Sequence, residues 1–270
     1  MGNWLVDSVK FIDVYPTKGN LVTIRNVEVG LGGCSHNVLV DLAKLKSNLP
    51  IYAGGCIGRD AYGQMVLDAI KDNDIDGKYI TILDDAATSY TDVMSEISGD
   101  KTRTFFHCRG ANARLSIEHI RAVDAPAKIF HLGYLLLLDE LDKEDPEYGV
   151  VAARALKELQ DKGYETSVDV VSEEGDRFRG VILPCLKYTD YLIINEVEAG
   201  ACCNMELRTS SSNSVPSSST MVMRPAGCIF SDLVSGISII CPLPVSLYAS
   251  FSTASQSIPS DRVPGSFSAI

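Results

Sequence analysis

The sequence predicts an α/β protein: a doubly wound, mainly parallel sheet with helices on both faces and a small β-flap. Three observations predict it. The second half of the first 206 residues alternates strand-like and helix-like runs, the pattern of right-handed parallel units. Earlier, "YTDVMSEI" and "RTFFHC" alternate around the short turn "SGDK" and read as a hairpin, which the parallel pattern does not accommodate. Near residue 206 the composition changes: Ser occurs 9 times in residues 1–206 and 18 times in residues 207–270.

In chain order, "NWLVDSVKFIDVY" reads as a strand. Residues 35–46 read as a helix entered through glycines, and residues 60–73 as a second helix after "IYAGGCIGRD". The hairpin follows. Then come the strand "KIFHLGYLLLL", a helix from Pro146 to Lys162, the strand "ETSVDVVS", a helix over 176–187 and the strand "YLIINE". Residues 1–206 thus form the expected α/β domain, with flap segments at about 9–30 and 88–108. Residues 207–270 are aberrant. "SSSNSVPSSST" has no periodicity, and Pro242 and Pro244 interrupt the later apolar run "GISIICPLPVSLYASF". This part reads as an out-of-frame continuation or as an atypical ending.

Composition narrows the functions. A chain of 270 residues can bury a sizeable core. Its net charge of −11 argues against nucleic acid or an anionic membrane as the main partner. No apolar run approaches the roughly 20 residues of a membrane span, and the N-terminus lacks a signal-peptide pattern. Eight cysteines, at 34, 56, 108, 185, 202, 203, 228 and 241, form no Cys-x-x-Cys and no zinc-spaced cluster with histidine. Free thiols and a cytoplasmic location are expected. His36, His107, His119 and His131 share no spacing, so structural roles are expected for them.

Five places carry candidate chemistry, the first three of them where a doubly wound sheet binds its ligand, at the C-terminal ends of strands. In "GLGGCSHNVLVDLAKL", Gly32 and Gly33 precede a helix, and either form a tight turn or bare the backbone to a ligand at a helix N-terminus. Asn37 then either donates its amide to a hydroxyl or serves the helix start. Asp7, an acid among apolar neighbours at the end of the first strand, needs partners that a polyhydroxy ligand or a structural cap would supply. "YLIINEVEAG" delivers Asn195, Glu196 and Glu198 beyond an apolar strand, a set that suits Mg²⁺ or the charged first turn of a helix. Arg109, Gly110 and Asn112 in "CRGAN" follow the hairpin and can close over a ligand. Asp169 ends the strand in "SVDVV" and either faces the cleft or is structural.

Taken together, "GGCSHN", "YAGGCIGRDAYGQMVLDAIKDNDID", "RTFFHCRGAN" and "IINEVEA" occur in the order found in the ribokinase-like, PfkB-type carbohydrate kinases, which the chain resembles over residues 2–204. The resemblance implies that Asp7, Gly32, Gly33 and Asn37 bind sugar hydroxyls, with Arg109 and Asn112 on the same side. It implies that Asn195 and Asp169 lie toward the nucleotide, and that Glu198 acts through Mg²⁺. ATP is the implied co-substrate and a sugar or nucleoside the acceptor. The flap would close over the sugar, and its strands would pair in a homodimer. One departure is large. The family's Gly-Ala-Gly-Asp, whose Asp is the catalytic base, does not occur in this chain. The catalytic residue is therefore unassigned, and impaired turnover, or sugar binding without catalysis, is expected.

Overall fold

The computed structural model describes residues 1–203, apart from 47, 100, 174 and 175, together with the strand at 221–223. Its elements in order are β1 (Leu5–Ile12), β2 (Ile24–Gly32), α1 (Cys34–Lys44), β3 (Tyr52–Gly58), α2 (Ala61–Asp72), β4 (Asp76–Leu83), β5 (Ser89–Glu96) and β6 (Arg103–Cys108). A single 3₁₀ turn, Gly110–Arg114, and α3 (Ile117–Arg121) lead to β7 (Ile129–Leu135). A short hairpin of β8 (Glu144–Asp145) and β9 (Gly149–Val150) precedes α4 (Val151–Asp161). The chain continues through β10 (Glu165–Val170), α5 (Phe178–Leu186), β11 (Tyr191–Ile194), α6 (Glu196–Cys203) and β12 (Met221–Met223).

Two sheets organise the molecule. In the main one β7, β10 and β11 are parallel, and β12 adds antiparallel to β11. The parallel pair β3–β4 joins it through the first residues of the chain. Gly2 N donates to Gly54 O at 3.2 Å, and Asn3 N donates to Gly133 O at 2.7 Å, so Met1–Asn3 lies between β3 and β7. The other sheet has the order β2-β1-β5-β6 and contains the expected hairpin, β5 antiparallel to β6.

Helix α4 shows how the core forms. Ala152, Ala155, Leu156 and Leu159 recur at helical spacing and are buried with Leu132, Leu135, Val168 and Ile182. A smaller cluster packs Trp4, Val40, Ala53, Ile57, Val66 and Ile70 between α1, α2 and β3. Helix α2 starts where Asp60 accepts the N–H of Gly63 at 2.8 Å, an N-cap bond.

Two expected elements are corrected. The strand over "KIFHLGYLLLL" ends at Leu135, because Leu136 has a left-handed φ of 80° and turns the chain. The helix expected from Pro146 begins only at Val151. Asp145 Oδ1 accepts the N–H groups of Glu147 and Tyr148, and this side-chain turn holds residues 144–150 as a hairpin. Within the serine-rich segment, residues 221–223 pair with β11; the rest of it lies outside the described residues, as do Cys228 and Cys241.

Candidate functional site

The two sheets face each other across a cleft of about 790 Å³. One wall is the β2-β1-β5-β6 sheet. Strand registers place Gly30, Asp7, Thr91 and His107 in a line across its four strands, and Asp7, Thr91 and His107 line the cleft. Asp7 is the third residue of β1, near the strand's start and not its end. The reason is that only Met1–Asn3 belongs to the main sheet, and the chain runs on directly into the other one.

The charges along this line are ordered. Burial pushes the Asp7 carboxyl up, while a hydrogen bond from Thr91 and the nearby His36 oppose it. The Thr91 hydroxyl also lies 3.0 Å from His107 Nδ1, so one side chain links the acid to the imidazole. Nε2 is buried and has no partner among the described residues. Burial, then the charge of Arg109, pulls the His107 imidazole down, so it is neutral at pH 7.

Next to this wall, the glycines before α1 permit close approach. Gly33, at φ 91° and ψ 150°, begins the helix, and a Cβ there would lie 2.5 Å from Asn3 O. A Cβ on Gly32 would collide with Asp7 Oδ2. Gly33 and Asn37 line the cleft. Asn37 Oδ1 meets His36 Nδ1 at 3.0 Å, which turns the Asn37 amide NH₂ to other partners.

The opposite wall comes from the C-terminal ends of β7, β10 and β11: Tyr134, Leu137, Asp169–Glu173 and Ile193–Asn195, with Glu198 from α6. Asn195 and Glu198 cap α6 reciprocally. Asn195 Oδ1 accepts from Glu198 N at 2.9 Å, and Glu198 Oε2 accepts from Asn195 N at 2.9 Å. Glu198 is 6% exposed and its Oε1 also accepts from Ser172 Oγ at 2.8 Å. Burial pushes Asp169 up to about 6, with Glu198 adding in the same direction. Burial also pushes the Tyr134 phenol well up.

Two expected ligand residues are committed elsewhere. Asn112 is fully buried and does not reach the cleft. Its Oδ1 accepts from Trp4 N at 3.2 Å and its Nδ2 donates to Trp4 O at 3.1 Å, which clamps the start of β1. Arg109 does line the cleft, but its guanidinium pairs with Asp139 at 2.8 Å and with Glu173, and donates to Leu136 O at 2.7 Å. It ties the end of β6 to the loops after β7 and β10.

A model of the pfkB family carbohydrate kinases matches residues 3–222, which include both walls. The chain belongs to this family. It is 23% identical over 212 residues to a ribokinase of Dictyostelium discoideum, an alignment covering 78% of this chain and 61% of that protein. Among solved structures it resembles Arabidopsis thaliana ribokinase complexed with ribose and ATP, at a TM-score of 0.59 and 22% identity over 77% of this chain and 62% of that one. It also resembles a Methanocaldococcus jannaschii nucleoside kinase, at a TM-score of 0.57 and 17% identity over 83% and 71% of the two chains. The chain therefore spans less than two thirds of the length of the two ribokinases.

Thr91, His107 and Tyr134 were not legible as site residues of this pfkB-family chain. Each reaches the cleft through strand pairing between distant segments, and no local spacing marks them. Among the described residues, no helix is long and apolar enough to cross a membrane.

Proposed function

We propose that the cleft binds a sugar or nucleoside beside Mg²⁺-ATP, the arrangement for phosphoryl transfer to a hydroxyl. One observation carries the reading: a line of hydroxyl-binding groups on one sheet faces a wall of carboxylates and amides at the strand ends of the other. Asp7 accepts from acceptor hydroxyls and Asn37 donates its amide to one, while His107 stands beside them, bonded to Thr91. The β2-β1-β5-β6 sheet serves as the lid, and Arg109 fastens it to the main body. Exposed Ile24, Val27 and Val29 on β2 support pairing of lid strands with a second copy.

The nucleotide side takes Asn195 and Asp169, with Glu198 as the Mg²⁺ residue. The fit to Mg²⁺ rests on the donor set. Glu198 and Asp169 are acids lining one cleft, oxygen donors of the kind a hard divalent cation takes. Such a cation supplies charge neutralisation at phosphate oxygens. Ser172 and Asn195 hold the Glu198 carboxylate in place. Residues 1–270 contain no Gly-Ala-Gly-Asp. A positioned base contributes about 10²–10⁴-fold, so this polypeptide binds its ligands and turns over slowly. That favours a second reading, a sugar- or nucleoside-binding protein derived from such a kinase.

Glu198→Gln tests the assignment. Gln at this position keeps the reciprocal cap, so thermal melting should be unchanged. The affinity gained for ATP on adding Mg²⁺, measured by calorimetry, should fall at least tenfold. An unchanged gain would remove Glu198 from the metal and leave it a helix cap.

A further inference from the structure

Behind the cleft wall, three side chains from three elements meet. Cys34 opens α1, His131 is the third residue of β7, and Asp169 is the fifth of β10. The Cys34 Sγ, one His131 ring nitrogen and one Asp169 carboxylate oxygen all lie within 4.8 Å of one another. Cys34 Sγ is 2.8 Å from His131 Nε2, and its thiol also hydrogen-bonds Asp169. Position 133 packs against this sulfur, where even a Cβ would collide with it.

We propose that Cys34, His131 and Asp169 form a binding site for a borderline-soft divalent transition ion, Zn²⁺ being the type. The donor set of one thiolate, one imidazole and one carboxylate is of the kind zinc takes, whereas Mg²⁺ and Ca²⁺ prefer oxygen alone. Ligand atoms about 2.0–2.3 Å from one tetrahedral ion stand further apart than the Cys34–His131 contact, so that pair opens slightly on binding. The imidazole is already oriented. Its Nδ1 is 2.9 Å from Ser167 Oγ, the kind of outer contact that fixes a ligating histidine and directs Nε2 at the ion.

The proton balance is simple. The Cys34 thiol proton faces two acceptors, His131 and Asp169, and the ion takes its place. That proton leaves to solvent, and no oxidant or reductant is involved. Asp169 also lines the cleft, so a water or a ligand group from that side completes the coordination, and a bound ion removes this carboxylate from the cleft wall. The site is independent of which acceptor the cleft takes.

Cobalt is a spectroscopic stand-in for zinc. The full chain, stripped with chelator, is titrated with Co²⁺. One equivalent should produce a thiolate-to-cobalt charge-transfer band and intense visible bands of tetrahedral cobalt, and Zn²⁺ should bleach both. Cys34→Ser should abolish the charge-transfer band, and His131→Gln should weaken binding at least tenfold. Weak, octahedral-type absorption alone, or an unchanged charge-transfer band in Cys34→Ser, would overturn the proposal. Should the variants fail to fold, zinc-edge X-ray absorption of the wild-type chain decides. One sulfur at about 2.3 Å among lighter ligands at about 2.0 Å supports the site; no sulfur, or more than one, overturns it.

Discussion

Replacing Asn112 by alanine separates a structural clamp from a ligand residue. Asn112 and Trp4 are both fully buried. The side-chain amide accepts from Trp4 N and donates to Trp4 O, so the substitution orphans one backbone donor and one backbone acceptor. An unsatisfied buried group costs about 1–3 kcal/mol, which gives about 2–6 kcal/mol for the pair. Asn112 N stays bonded to Ser89 Oγ, so the 3₁₀ turn keeps one anchor and the loss stays near the low end. Against a domain stability of about 5–15 kcal/mol, that is a large fraction. Urea denaturation followed by tryptophan fluorescence measures it directly, because Trp4 is the single tryptophan and the partner being released. A loss below about 1 kcal/mol, or weaker sugar binding at unchanged stability, would refute the clamp and return Asn112 to the ligand.

Other substitutions test other parts of the structure. The Asp142 side chain is buried, and burial lifts its carboxyl to about 6. Since its folded value exceeds the unfolded one, the wild type is favoured below about pH 4 and loses up to about 3 kcal/mol as pH rises toward 6. Asp142→Asn should remove this dependence, so that from pH 4 to pH 6.5 the variant gains stability relative to wild type in denaturation curves; a difference that stays the same at both pH values would contradict it. Gly33→Ala should destabilise by at least about 1–3 kcal/mol, because its backbone angles are open essentially to glycine and Asn3 O blocks a Cβ. Gly30→Ala meets open space and should change the melting free energy by less than about 0.5 kcal/mol; equal losses at the two positions would refute the distinction.

The parts of the fold that depend on local pattern were readable from sequence. Helix α1 after its glycines, α2 after Asp60, and the β5–β6 hairpin follow from residues adjacent in the chain. The start of α4 was not readable, because the Asp145 side chain builds a turn where the helix would otherwise continue upstream. The candidate site divides the same way. Asp7, Gly33, Asn37, Asp169, Asn195 and Glu198 sit on short motifs and line the cleft. His107 reaches it only because its register with Thr91, and Thr91's with Asp7, make one line across three strands. The Cys34–His131–Asp169 cluster is spread over more than a hundred residues and has no spacing to read. Asn112 misleads for the opposite reason. Its motif is local, but its partner, Trp4, is 108 residues away.

The most direct test of the account is calorimetric titration of the chain with D-ribose, D-fructose and adenosine, in the presence of Mg²⁺-ATP, for wild type and Asp7→Asn. Saturable binding of at least one of them is expected, with a loss of roughly tenfold or more in the variant, since a hydrogen bond to a charged group is worth about 1.5–3 kcal/mol. Binding of none of the three, or equal binding by wild type and Asp7→Asn, would contradict the assignment of this cleft to a hydroxyl-bearing acceptor.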